Sequence, residues 1–357
     1  MERHINNKNI LVTGHTGFKG SWLCLWLCML GANVTGYSLE NDDPASNFVL
    51  SDIKRHICHL TGDIRDVDSL KKAFRAAKPD AVMHLAAQPI VKHALADPRH
   101  TYDVNVMGTL NVLEEIKTCN SCKGSVMVTS DKCYSNEEWV WGYRETDRIG
   151  GHDIYSSSKG CDELLIDAYR HSYPSVFGPG GKLLVSARSG NVVGGGDWGD
   201  YRLMPDCIRA LTTGETIVLR SPQSVRPWQH VLEPLSGYLM LLEKVLEQDY
   251  RFTGGWNFGP NYKNAVTVEY LVRKVISAWG SGSYVCDESA RIPEANLLNL
   301  DTSKARCALH WSPVWDIDTT VDKTVEWYKK SAEGDTAALC LNQIGEYSAA
   351  MNNLRTE

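Results

Sequence analysis

Tyr155 and Lys159 bracket three serines, so on a helix a phenol and an ammonium share one face. A free tyrosine titrates near pH 10 and is a poor base at neutral pH. A neighbouring cation favours the phenolate and poises its oxygen to take a proton from an alcohol. A second set of candidates follows an apolar run, where Val126-Met127-Val128-Thr129-Ser130 leads straight into Asp131-Lys132-Cys133-Tyr134. If that run is a strand of a parallel sheet, its carboxyl end faces a ligand crevice and these side chains point at what is bound. Taken singly, Asp131 reads as a turn residue and Lys132 as an exposed loop charge. Their company makes them candidates.

The third set is Thr13-Gly14-His15-Thr16-Gly17-Phe18-Lys19-Gly20, with glycines spaced GxxGxxG. A strand-like run precedes it and an apolar helical pattern follows. Glycines there allow a tight turn, close backbone approach to a pyrophosphate and close packing of helix on strand. The free N–H groups at the helix start attract phosphate. In that context Gly14, His15, Thr16, Gly17, Phe18, Lys19 and Gly20 read as a dinucleotide cradle.

Such groups need a scaffold, and the first half of the chain supplies one by alternation. Strands are predicted at Asn9–Thr13, Asn33–Ser38, Ala81–Leu85, Gly124–Ser130 and Lys182–Ala187, as continuous apolar runs suited to a sheet covered on both faces. Helices are predicted at Phe18–Leu30, Val67–Ala77, Pro98–Cys119, Ile154–Tyr173 and Asp318–Lys330. The pattern implies an α/β, doubly wound parallel sheet, a Rossmann fold, with a smaller mixed α/β C-terminal part. The expected organisation is a dinucleotide domain over 1–190 and a substrate domain over 191–357, with segments free to exchange. Short strands are expected at Thr216–Leu219 and Trp256–Phe258, and the tail from Ala332 reads as polar with weak periodicity.

Length and charge narrow the function. At about 150 residues per domain, 357 residues suggest two domains or one large one with an appendage. A formal charge of −6 argues against general nucleic-acid binding, which needs a basic field. The polar start lacks the apolar core of a signal peptide, and Trp22–Leu30 is too short to span a bilayer. The 11 cysteines follow no disulfide or zinc rhythm, and the Cys119/Cys122 pair reads as chance spacing, so no metal is expected. A cytoplasmic setting is expected. Of the 11 tryptophans, Trp139, Trp141, Trp198 and Trp228 fall in loops that could wall a site, whereas Trp22, Trp26 and Trp327 read as packing.

The GxxGxxG loop, Ser130 and the Tyr155/Lys159 pair together resemble the extended short-chain dehydrogenase/reductase family, from Asn9 to about Lys330. The resemblance implies that Asp63 and Ile64 contact adenine, that Leu85, Ala86 and Ala87 line the path to a nicotinamide, and that Asn105 joins this set. Where the family often ends strand two with an acidic residue for the ribose, this chain has Ser38, with Glu40 or Asp42 as candidate substitutes. No arginine stands there for a 2′-phosphate, so NAD is expected rather than NADP. In the family's nucleotide-sugar 4,6-dehydratases an Asp-Glu pair follows the strand ending in Ser/Thr. Here Asp131 is kept and Lys132 replaces the Glu. That change, with His15 and the stretch Ser224–His230, resembles the branch acting on CDP-glucose.

The resemblance implies that Tyr155 takes the C4 hydroxyl proton, supported by Lys159 and Ser130, while Asp131 protonates the departing C6 hydroxyl. The hydride taken from C4 returns to C6, giving a CDP-4-dehydro-6-deoxyglucose of deoxysugar and cell-surface polysaccharide biosynthesis. Lys132 could act as the C5 base only if neutral, and an unperturbed lysine near 10.4 is not. Otherwise it stays charged, orients Asp131 or the cofactor, and another group takes the proton. The block around Asn191 resembles the family's RxxNVxG, which implies that Asn191 reaches phosphate or sugar. Arg202, Leu203, Arg220 and Arg226 are the further substrate candidates, since arginine forks suit a diphosphate. A homodimer or tetramer through Pro98–Cys119 and Tyr155–His171 is implied, with no membrane partner. A 4-epimerase would share most of these residues but has no leaving hydroxyl for Asp131 to protonate. A non-catalytic cofactor-binding regulator would have less use for both Tyr155 and Lys159.

Overall fold

The computed structural model describes residues 2–287, 297–331 and 334–356. Seven strands form one sheet: β1 (Asn9–Thr13), β2 (Asn33–Ser38), β3 (Cys58–Thr61), β4 (Ala81–His84), β5 (Gly124–Val128), β6 (Leu183–Ser189) and β7 (Gly254–Phe258). Their order is β7-β6-β5-β4-β1-β2-β3, and every neighbouring pair is parallel. The chain winds outward from β1 to β3, then crosses back to β4 on the other side of β1. Such a reversal leaves a crevice beyond the carboxyl ends of β1 and β4.

Period-two alternation sends neighbouring side chains to opposite faces. Ile10, Val12, Met83, Val126 and Val185 enter one core, and Leu11, Val82, Met127 and Leu184 enter the other. The first core is covered by α1 (Phe18–Met29), α6 (Leu232–Glu247) and α8 (Ile317–Lys330), and the second by α2 (Val67–Ala77), α3 (Gly108–Thr118) and α4 (Ile154–Ser172). Helix α5 (Leu203–Thr213) and α7 (Val268–Trp279) sit with the short strands of the second half. Trp22, Trp26 and Trp327 are fully buried, as their helical contexts implied.

Residues beyond 190 do not stay apart. They supply β7 to the sheet and α6 to its face, so the segments exchange across that division. Strand β3 escaped the sequence reading because its Cys-His-Leu-Thr has no apolar run and sits at the sheet edge. The predicted helix Pro98–Cys119 is broken by a wider π-turn over Asp103–Met107, which sets Asn105 inward.

The tail is the larger difference. It forms α9 (Thr336–Thr356), and Cys340, Ile344, Tyr347 and Met351 are buried at helical spacing against α1. So narrow a stripe is diluted by polar neighbours and leaves little periodic signal. Tyr347 stacks edge-on against Trp26, and its hydroxyl donates to Glu233 Oε2 at 2.7 Å. Glu233 also accepts from the Val314 and Trp315 amides at 3.0 and 2.7 Å. Burial pushes its carboxyl up to about 7.

The folded chain therefore holds a Glu233 proton that the unfolded chain releases nearer pH 4.5. Stability from this group is complete below the unfolded value and lost as pH rises towards 7, by about 3 kcal/mol. Urea midpoints should fall across that window, and Glu233→Gln should flatten the slope.

Candidate active site

A cleft of about 1030 Å³ opens at the carboxyl ends of the strands. It exceeds the usual small-ligand pocket, so a dinucleotide and a second nucleotide can share it. At its base Gly14 has φ +75°, and a Cβ there would stand 2.7 Å from the Ala86 nitrogen. A Cβ on Gly20 would meet the Gly14 carbonyl at 2.1 Å, so the turn closes only with glycine. The first turn of α1 carries no acidic residue and leaves its N–H groups open to an anion. Thr16, Gly17, Phe18, Ser38, Asp63, Ile64, Leu85, Ala86 and Ala87 all line the cleft. The cradle, the helix start and the Thr16–Ser38 hydroxyl pair at 2.7 Å fit a dinucleotide.

Two of the predicted cofactor residues serve otherwise. His15 turns away beneath Phe48 and meets His59 at 2.7 Å, where burial lowers it to about 4. Asn105 is fully buried and does not line the cleft; its amide bonds the Gln88 carbonyl at 3.2 Å and Ser158 at 2.9 Å. It ties the loop after β4 to α4. Glu40, a candidate substitute for the ribose acid, does not line the cleft either. It faces Lys54, His59 and Thr61, whose hydrogen bonds with those of His59 hold its carboxyl down to about 2. Asn41 and Asp43 line the cleft instead, and sequence reading missed both because the loop after β2 has no fixed spacing.

The catalytic candidates converge. Ser130 follows β5 by two residues and caps the turn Asp131–Cys133, accepting from the Lys132 amide at 3.2 Å while its hydroxyl donates to Asp131 at 3.0 Å. Asp131 is buried, and that burial raises its carboxyl above the ordinary value despite Lys132 and Ser130. A Cβ on Gly190 would stand 2.5 Å from Asp131 Oδ2, so the carboxyl is seated against bare backbone. Tyr155 and Lys159 lie one turn apart on α4, capped by Asp153. Burial raises the Tyr155 phenol, with Lys159 and a Ser130 hydrogen bond pulling it back. The sequence argument counted the cation alone; in the fold desolvation outweighs it. Lys159 pairs with Asp162 at 2.9 Å and is held charged against its own burial.

On the far wall Asn191, Arg202, Leu203, Arg220 and Arg226 line the same cleft. Arg202 is braced by Asp197 at 2.8 Å. Trp198 and Trp228 belong to this wall, whereas Trp139 stacks on Tyr143 and meets Trp141, away from the cleft. Arg188, within the RxxNVxG block, is structural: it pairs with Glu163 at 2.6 Å.

The chain is similar to known proteins over most of its length. The family model described as GDP-mannose 4,6 dehydratase matches residues 11–324. CDP-glucose 4,6-dehydratase of Salmonella typhimurium is 44% identical over 96% of this chain and 97% of its own. dTDP-glucose 4,6-dehydratase 1 of Escherichia coli is 26% identical over 89% of this chain and 92% of its own. Among solved structures, dTDP-glucose 4,6-dehydratase from Bacillus anthracis in complex with NAD superposes with TM-score 0.75 at 22% identity, covering 90% of this chain and 97% of that one. An epimerase from Methanothermobacter thermautotrophicus gives TM-score 0.79 at 23% identity, covering 93% and 95%.

Gly190→Ala tests the seat of Asp131. It should lower turnover by about 10²–10⁴, the range of a general-acid contribution, because the carboxyl must move. Melting temperature should shift by only a few degrees, and unaltered turnover would show that the seat does not matter.

Proposed function

This chain belongs to the GDP-mannose 4,6-dehydratase family, and from that premise we propose that it converts CDP-glucose to CDP-4-dehydro-6-deoxyglucose with NAD as bound cofactor. It is a nucleotide-sugar 4,6-dehydratase, a hydro-lyase of the extended short-chain dehydrogenase/reductase family. The observation that carries the reading is Asp131, a buried carboxyl with a raised pKa at the end of β5. Epimerisation has no departing hydroxyl to protonate, and elimination does. The cytidine base rests on the 44% identical relative named for CDP-glucose.

Gly14, Gly17 and Gly20, the start of α1, Ser38, Asp63 and Leu85–Ala87 would hold the dinucleotide. When bound, it supplies a reversible hydride acceptor. Ser130 orients the C4 hydroxyl, and Tyr155 accepts its proton as the phenolate, which Lys159 stabilises. The ketone formed at C4 acidifies the C5 hydrogen, and Asp131 gives its proton to the C6 hydroxyl, which leaves as water. Arg202, Arg220 and Arg226 would take the diphosphate, with Asn191 beside them. The product chemistry suits deoxysugar supply to cell-surface polysaccharide.

Apolar side chains left open on the assembly helices support a homodimer, Met107 being 48% exposed and Leu164 59%. A cytoplasmic setting belongs to this proposal; among the described residues no helix is long and apolar enough to cross a membrane.

Incubation with CDP-, dTDP-, GDP- and UDP-hexoses tests the substrate. Product mass should fall by one water with CDP-glucose; loss from another hexose would overturn the cytidine assignment, and unchanged mass with altered sugar configuration would replace dehydration by epimerisation. Activity should also decline as pH falls through about 6, where burial has placed Asp162 and its protonation removes the partner of Lys159. Asp162→Asn should lose that limb of the pH profile.

A further inference from the structure

Lys19 belongs by sequence to the phosphate cradle, yet its side chain leaves the loop. It crosses the cleft so that Nζ donates to Ser189 Oγ at 2.9 Å, at the end of β6. That hydroxyl also bonds Tyr238 at 2.7 Å, which fixes the ammonium's place. The next residue, Gly190, is the one against which Asp131 is seated. Lys19 and Asp131 therefore face one space, with Arg202, Asp197 and Lys159 as the other charges around the amine.

We propose, on the dehydratase reading above, that Lys19, rather than Lys132, is the base that removes the C5 proton. The reaction needs an uncharged amine and a protonated carboxyl in the same cleft. Burial pushes both groups that way: Lys19 falls to about 8, with Arg202 adding to the effect, and Asp131 rises. Lys132 has its amide tied to Ser130, and its charge favours the Asp131 carboxylate that remains after proton delivery.

The steps balance. The C5–H proton goes to the Lys19 nitrogen, and its electron pair becomes the C5=C6 bond. The C6–O bond breaks, and the hydroxide leaves as water with the Asp131 proton. When hydride reaches C6, C5 recovers a proton from the Lys19 ammonium. The proton taken by Tyr155 at C4 matches the one Asp131 must regain.

The test runs CDP-glucose with the holoenzyme in D₂O and reads deuterium at C5 by mass and NMR. The unaltered chain should place deuterium there. Lys19→Met and Lys19→Arg should both slow deuterium entry at C5, and elimination with it, about 10²–10⁴-fold. The arginine keeps the charge but cannot accept a proton, which separates a base from a fixed cation. Exchange at the unaltered rate in Lys19→Arg, or exchange slowed in Lys132→Met while both Lys19 variants keep the unaltered rate, overturns the assignment. So does loss of NAD affinity in Lys19→Met with exchange intact, which returns Lys19 to the phosphate cradle. No dehydrated product from the unaltered chain overturns the dehydratase reading, and this assignment with it.

Discussion

Glu163 is the point on which the catalytic end of the sheet depends. One carboxyl oxygen takes the Thr129 hydroxyl from the end of β5, and the other takes Ser186 at 2.8 Å and Arg188 at 2.6 Å from β6. Arg188 continues to Tyr134 at 2.6 Å, and Tyr134 to Asn257 on β7 at 2.8 Å. One buried ion pair thus clamps α4 across three strands. Removing either partner would leave an uncompensated charge in the core, at a cost of about 3–5 kcal/mol. Lys159 sits one turn earlier on the same helix, so the catalytic face inherits its position from this clamp.

Low dielectric does two jobs here. It raises the Asp131 carboxyl and the Tyr155 phenol alike towards their protonated forms, which suits a proton donor and hinders a proton acceptor. The phenol needs local help, which Lys159 and Ser130 provide. Lys159 needs its own counterion to remain charged in such a place, and Asp162 is that counterion.

Residues 9–38 and 124–159 announced themselves because their chemistry is local. A strand, a glycine turn and a helix follow one another there, and Ser130, Asp131, Tyr155 and Lys159 need only parallel strand ends to converge. Asn105, His15 and Lys19 were legible as positions but not as roles. Each is defined by a partner far along the chain: Ser158 for Asn105, His59 for His15 and Ser189 for Lys19. No spacing rule carries such pairings. The helix α9 hid for another reason: its buried stripe is narrow, and its purpose is visible only against Trp26 and Glu233.

The lateness of β7 has a consequence for synthesis. Strand β6 is complete at Ser189, but its outer neighbour ends at Phe258, after the substrate-side loops and α6 have been made. A chain leaving the ribosome therefore carries Leu183, Leu184 and Val185 with one edge unpaired for that whole interval. Open apolar edges recruit other strands. Slow translation through residues 190–258 should thus be a hazard peculiar to this topology, and chaperone demand should peak there rather than at the glycine loop.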